Sequence, residues 1–464
     1  MPSENRVSPR IARRSFLRRS AAIGAAWAAA PATFAAEAED DGLLFDVDET
    51  GDPGDRAPRI APWRHVALDP EYAGAWVVAG DVDGDGQAEI VSARNVDQND
   101  VHYTSAVVAQ RLDGSVVWRW GDPKIGRKKL HHDVACQIHD WDGDGRSEVV
   151  LCTKGFLVAL DGASGRERRR VPLPDDATDC LTFADLSGQG RPTDVLVKTR
   201  YGQIWAFNRD GKLLWTVKNP GGFRTAHHPL PVDVDGDGRD EIMAGYTLLG
   251  PDGRIRWTYR AETFDAGRGH LDCCRVLRMA DHPEDVRLVL TCCGANGLAV
   301  VNGLGKVLWE ATGHHFESVD VGKICADVPG MQIAVDIDHQ PWGRGPIWVF
   351  DENGRHLGRI MTNYARHHAL VDWTGDGTQA IVVAEGRGVY DGHGRRIATF
   401  DMDETGATRS AEMLALVGDM TGDGRADVML TTRSSSAVYI YRNERGRRPS
   451  TPVAQGTGLN FTLY

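Results

Sequence analysis

The 464-residue chain has no surplus of basic residues: 53 Lys+Arg stand against 65 Asp+Glu, a net charge of −12. That balance argues against a nucleic-acid binder, which needs basic patches to neutralise phosphates. Beyond residue 36, no segment approaches the ~18 consecutive apolar residues of a membrane-spanning helix. The eight cysteines include no Cys-x-x-Cys pair, so spacing gives no support for a zinc site. There is no Gly-x-Ser-x-Gly turn and no Ser/His/Asp order of the kind nucleophilic hydrolases use. Carboxylate pairs of the glycoside-hydrolase kind cannot be picked out either, because most Asp and Glu fall in repeated loops.

What the chain does have is glycine, 53 residues, above the usual ~7%. Many tight turns follow, and these favour short strands over long helices. The 41% hydrophobic content is ample for a large core and excludes disorder. The length suggests two or three domains unless one repeat architecture fills the chain.

Residues 1–36 read as an export signal. Arg13-Arg14-Ser15-Phe16-Leu17-Arg18 is a twin-arginine motif, followed by an apolar stretch from Ala21 to Ala30 and small residues around Ala35–Ala38. The protein is therefore expected in a periplasm or outside the cell. Losing six arginines and one glutamate with the signal takes the net charge from −12 to −17. Residues 37–60 read as a flexible linker, 61–446 as the folded domain and 447–464 as a C-terminal extension. The cysteines read as buried small hydrophobes. One cross-strand bridge between Cys273-Cys274 and Cys292-Cys293 stays open.

A repeat organises everything after residue 60. Asp-x-Asp-Gly-Asp-Gly-x-x-Glu occurs at Asp81–Glu89, Asp140–Glu148 and Asp233–Glu241, with weaker copies at Asp419–Asp427, Asp372–Gly377 and Asp185–Asp194. Each copy lies between two strand-like segments. A third strand follows, then Asp-Gly or Asn-Gly, then a fourth strand ending near Trp, as in Leu213-Leu214-Trp215. First strands are expected near residues 76, 134, 180, 228, 271, 316, 367 and 412. Eight units of about 46 residues, each with four short antiparallel strands, predict an all-β fold, a β-propeller of eight blades. Seven would follow if one degenerate unit were an insertion. Trp63–Leu68 is expected to supply the missing last strand and close the ring.

The acidic loops suit Ca²⁺. Carboxylates at positions 1, 3 and 5 face the inside of one turn, Gly at 4 and 6 lets the backbone fold around an ion, and an acid at 9 closes the cage. Expected ligands are Asp81, Asp83, Asp85 and Glu89; Asp140, Asp142, Asp144 and Glu148; Asp233, Asp235, Asp237 and Glu241; and Asp419, Asp423 and Asp427. All join first to second strands, so they share one face of a propeller.

The opposite face collects histidine. His131-His132, His227-His228, His270, His314-His315 and His367-His368 precede or open first strands, and His102 lies between a second and a third strand. Lys198-Thr199-Arg200-Tyr201, Gly245-Tyr246-Thr247 and Trp342-Gly343-Arg344 come to the same face. Bases, fixed cations, phenols and aromatic platforms without a nucleophile suit an acidic sugar. Arg would neutralise the carboxylate as enolate-like charge develops, and His or Tyr would take the C5 proton and protonate the leaving oxygen. That is β-elimination on a 4-linked uronic acid.

The acidic repeats are similar to integrin-type FG-GAP propeller repeats. His132-Asp133 running into Asp140, Lys198-Thr199-Arg200-Tyr201 with Ile204-Trp205-Ala206, His227-His228-Pro229 and Gly245-Tyr246-Thr247-Leu248-Leu249 resemble the β-propeller polysaccharide lyases of the rhamnogalacturonan, ulvan and rhamnose–glucuronate types. Across roughly residues 60–445 the resemblance implies calcium dependence, a lyase site of His, Tyr and Arg, and a rhamnose-rich acidic polysaccharide or oligosaccharide as substrate; the chain is expected to be a monomer. The resemblance implies catalytic roles for His102 and His132 as a histidine pair, Arg200 as carboxylate neutraliser and Tyr246 as active-site tyrosine. The further candidates for substrate contact are His131, Tyr201, His227, His228, His270, His315, Trp342, Arg344 and His368. The alternative is a non-catalytic calcium propeller that binds glycans or proteins. A quinone-dependent dehydrogenase is disfavoured because the repeated Trp-docking motifs of that class are not apparent in the sequence.

Overall fold

The computed structural model describes residues 32–35, 42–48, 57–98, 101–126, 136–174, 176–260, 269–338, 345–362, 368–403, 413–432, 434 and 436–446. Eight sheets with consecutive antiparallel strands form an eight-bladed β-propeller. First strands open at Trp76, Cys136, Asp179, Thr225, His270, His315, Ala369 and Ala415, within three residues of the positions expected from the repeat. They pack against one another around the centre of the ring. The eighth sheet takes its outer strand from Arg64–Ala67, which pairs antiparallel with Ala437–Tyr441. The ring is thus closed by the early part of the chain, as the sequence led us to expect.

Each blade is covered on both faces by its neighbours. Second strands are therefore apolar almost throughout, and Glu241–Gly245 and Gln332–Asp338 are buried at every position. Fourth strands face out, and Leu213–Lys218 has only partly buried and exposed positions.

A tryptophan latch joins blades. The indole N–H of Trp118 donates to the Gly162 carbonyl at 2.6 Å, that of Trp215 to Pro251 at 2.9 Å, Trp257 to Gly303 at 2.9 Å and Trp309 to Glu352 at 3.0 Å. Each indole lies flat on a turn glycine of the next blade. At Gly305 (φ 79°) a Cβ would stand 2.6 Å from the Trp257 ring, so both the backbone angle and the contact require glycine. These are the tryptophans near which the fourth strands were expected to end. Two junctions use other residues: Val171 packs on Gly211 and Phe45 on Gly394.

Phe45 comes from the stretch read as a flexible linker, and the structure corrects that reading where it describes the chain. Phe45–Asp48 pairs in parallel with the outer strand of blade six, and Asp46 binds Arg359 at 2.7 Å. Arg59–Ile60 pairs with the outer strand of blade seven, and Arg59 binds Asp401 at 2.6 Å. Ala32–Ala35, inside the segment read as an export signal, pairs in parallel with Trp309–Thr312. All eight cysteines are free thiols, and seven are buried. The cross-strand bridge left open by the sequence is absent.

Candidate functional site

The first strands of blades three to six depart from regular pairing near their starts, with register shifts between Asp179 and Leu181, Thr225 and Leu230, Leu271 and Cys273, and Phe316 and Val319. Such bulges bend a strand and re-aim its side chains. In blade three the bulged residue is Cys180, with a left-handed φ of 56°. In blade five the amide of Cys273 donates to Thr291 Oγ1 at 2.7 Å, and that hydroxyl donates to the Glu317 carbonyl of blade six at 2.7 Å. The bulges sit at the strand ends opposite the acidic loops.

These ends bring blades three to six together. Thr199 Oγ1 accepts the amides of Gly202 and Gln203, forming the tight turn that presents Arg200 and Tyr201. Buried Lys198 donates to the Arg200 carbonyl at 2.9 Å, and the amide of Thr225 donates to the Tyr201 carbonyl. Two guanidiniums then lie over the Tyr201 ring, Arg200 at 5.0 Å and Arg224 at 4.7 Å from its centroid. Its hydroxyl is 3.4 Å from His227 Nε2, and the His270 ring lies 4.9 Å away.

Beside this stack, pairing of the first and second strands of blade five sets His270 directly opposite Cys293. His270 Nε2 is 3.3 Å from Asp272 Oδ1, and His227 Nε2 is 3.7 Å from the same oxygen. His315 Nε2 is 3.4 Å from Asp272 Oδ2 and 2.8 Å from Glu317. Burial works to lower the pKa of His270, but hydrogen bonds to Asp272 and Cys293 outweigh it and hold the imidazole at about 10. For His315 burial is likewise outweighed, by Cys293 and Glu317, and the value is about 11. Burial would raise the Cys293 thiol; its hydrogen bonds to the two imidazoles prevail and lower it.

Several expected site residues are buried around this cluster. Tyr246 is fully buried and donates its hydroxyl to the Cys293 carbonyl at 2.6 Å. Its ring packs against Phe223 and Tyr259, so in this arrangement it supports the strand that carries Cys293. His102 is only 1% exposed and is held by Asp179 at 3.0 Å and Asp97 at 3.2 Å. His228 bonds Thr182 at 3.1 Å. His368 is buried between Asp336 and Asp320, at 3.5 and 3.7 Å. His131, His132, Trp342 and Arg344 lie outside the described residues. The sequence reading did not single out Arg224, Asp272, Cys293 or Glu317.

On the other face, the acidic loops repeat one backbone plan. Asp81, Asp140, Asp233 and Asp419 each accept two glycine amides through their two oxygens. Glu89, Glu148, Glu241 and Asp427 each accept the amide of the loop's second residue. Oxygens of Asp81, Asp83 and Asp85, of Asp140, Asp142 and Glu148, and of Asp233, Asp235 and Glu241 converge within 4.8 Å. An all-oxygen set on a preformed turn fits Ca²⁺. In blade two Arg168 also enters the cage, 2.8 Å from Glu148 and 3.2 Å from Asp142, so that loop is already partly neutralised.

Comparison with known proteins gives a consistent result. Residues 196–449 match the family described as rhamnogalacturonan lyase family 11, C-terminal domain. The chain is similar to Rhamnogalacturonan endolyase YesW of Bacillus subtilis, 26% identical over 437 residues covering 78% of this chain and 66% of that protein. It is 25% identical to Rhamnogalacturonan exolyase YesX of the same organism, over 78% of this chain and 70% of the relative. The chain thus spans about two thirds of the length of these relatives. In structure it resembles the exotype rhamnogalacturonan lyase YesX, with TM-score 0.60, 20% identity, and coverage of 83% of this chain and 75% of that one. It also resembles the Bacillus licheniformis rhamnogalacturonan lyase PL11, with TM-score 0.58 and the same identity and coverage. At that identity the structural likeness speaks for the propeller fold.

Proposed function

The chain belongs to rhamnogalacturonan lyase family 11, and on that premise we propose that it cleaves rhamnogalacturonan by β-elimination at the mouth formed by blades three to six. The observation that carries this reading is the stack of Arg200, Tyr201 and Arg224 beside His227. The two guanidiniums bind the uronate carboxylate and stabilise the charge that gathers on it as the C5 proton leaves. The Tyr201–His227 pair takes that proton. The electron pair forms the C4–C5 double bond, the C4–O bond breaks, and the departing oxygen is protonated. The product is an unsaturated uronate at a new non-reducing end.

We further propose that the acidic loops of blades one, two, four and eight bind Ca²⁺ and act structurally, since their oxygens lie on the face away from the mouth. Export through the Arg13-Arg14 signal is part of the same reading, because a polymeric substrate is met outside the cytoplasm. The test is ultraviolet absorbance of unsaturated uronate during incubation with rhamnogalacturonan, ulvan and homogalacturonan, each with calcium. A rise on rhamnogalacturonan supports the proposal; a flat trace on that polymer, with calcium bound and the protein folded, overturns it.

A further inference from the structure

We infer that His270, Asp272, Cys293 and His315 bind a transition-metal ion of the zinc class, at a site separate from the acidic loops and independent of the lyase reading. Donors from adjacent blades meet at Asp272, which forms one triad with Cys293 and His315 and shares a second with His270. Asp272 is central. It is 2% exposed, and its Oδ2 accepts no hydrogen bond. Oxygen, nitrogen and sulfur donors of His227, His270 and Asp272, and of Asp272, Cys293 and His315, lie within 4.8 Å of one another.

The spacing leaves room for an ion. A charge-assisted N–H···O bond settles near 2.7–2.9 Å, as His315 to Glu317 does at 2.8 Å. The contacts of His270 and His315 with Asp272 are longer, 3.3 and 3.4 Å. Ligand atoms about 2.0–2.1 Å from a tetrahedral ion stand roughly 3.3 Å apart, which is the separation found. Glu317 accepts from His315 in the apo arrangement and is the contact that an ion must displace.

The donor set also selects the metal. Ca²⁺ takes six to eight oxygens, whereas imidazole and thiolate favour Zn²⁺, Co²⁺ or Cu. Local geometry supports the ligands from outside. Register pairs His270 with Cys293, and the Tyr246 hydroxyl fixes the Cys293 carbonyl at 2.6 Å. His227, 3.7 Å from Asp272, stands between this site and the Arg200–Tyr201–Arg224 stack and is left to the substrate side.

The test is cobalt titration of the full chain after chelation and dialysis, with calcium kept saturating. The inference predicts one Co²⁺ per chain, with tetrahedral ligand-field bands and a thiolate-to-cobalt charge-transfer band, both displaced by Zn²⁺. Cys293→Ser should abolish the charge-transfer band. His270→Gln, kept as a second variant in case the first folds poorly, should weaken affinity by roughly 100-fold. Asp81→Asn, on the other face, should change neither. Absence of the thiolate band in wild type, or identical titrations of wild type and both variants, overturns the inference whatever the enzyme's activity.

Discussion

Tyr246 occupies a position with no solvent exposure, and its hydroxyl is committed to the Cys293 carbonyl. Tyr246→Phe is therefore expected to cost about 1–2 kcal/mol of stability while kcat/KM stays close to wild type. Denaturant unfolding and steady-state rates check this, and a collapse of kcat in a folded variant would return Tyr246 to the mechanism. Arg200→Ala should do the reverse, with kcat/KM falling roughly 100- to 1,000-fold and the melting temperature hardly moving. Resemblance to the propeller lyases implied a catalytic Tyr246, and Gly245-Tyr246-Thr247 does come to the mouth end of blade four. The sequence does not reveal that the ring turns inward against Phe223 and Tyr259. Cys293 was unreadable for a related reason. Cys293 meets His270 only through strand register, and no short motif records a pairing across 23 residues of chain. The acidic loops were legible because all their carboxylates fall within nine consecutive residues.

At the scale of elements, the latches and the closing segment carry most of the ring's specificity. Gly305→Ala combines a φ of 79° with a 2.6 Å contact on Trp257. It should destabilise the protein by about 1–3 kcal/mol, measurable as a lower midpoint in urea. Asp69 follows the closing strand and binds the amides of Glu71 and Tyr72 and the Arg119 guanidinium at 2.6 Å. Burial opposes ionisation, but these bonds outweigh it and hold the carboxyl below 3.8. A depressed pKa means that the stabilisation is complete at neutral pH and is lost as pH falls through the folded value. The melting difference between wild type and Asp69→Asn should therefore be flat near neutrality and shrink below about pH 4. Blade number and strand starts were legible because Asp-Gly turns and short apolar runs recur at one period. The outer strands from Phe45–Asp48 and Arg59–Ile60 were not, since parallel pairing at a blade edge needs only a few residues and leaves no periodic trace.

For the whole molecule, the acidic net charge divides between two faces. The carboxylates concentrate in the loops, while arginine gathers at the mouth, where Arg200 and Arg224 lie over the Tyr201 ring. An anionic polymer can thus approach the mouth of a chain of net charge −12. On this account chelating calcium should lower the melting temperature and be reversed by adding calcium back; a site held at about 100 times its Kd contributes about 2.7 kcal/mol. Blades two and eight should contribute least, because Arg168 already sits among the carboxylates of one and Arg425 and Arg442 bind Asp423 in the other. An unchanged melting curve after chelation would count against calcium in the loops. The most direct measurement of the central claim is the mass of the fragments released from rhamnogalacturonan. β-Elimination predicts fragments whose new non-reducing ends are unsaturated and lighter by one water than hydrolysis would leave them. Fragments of hydrolytic mass, or no fragments from the folded, calcium-loaded protein, would contradict it.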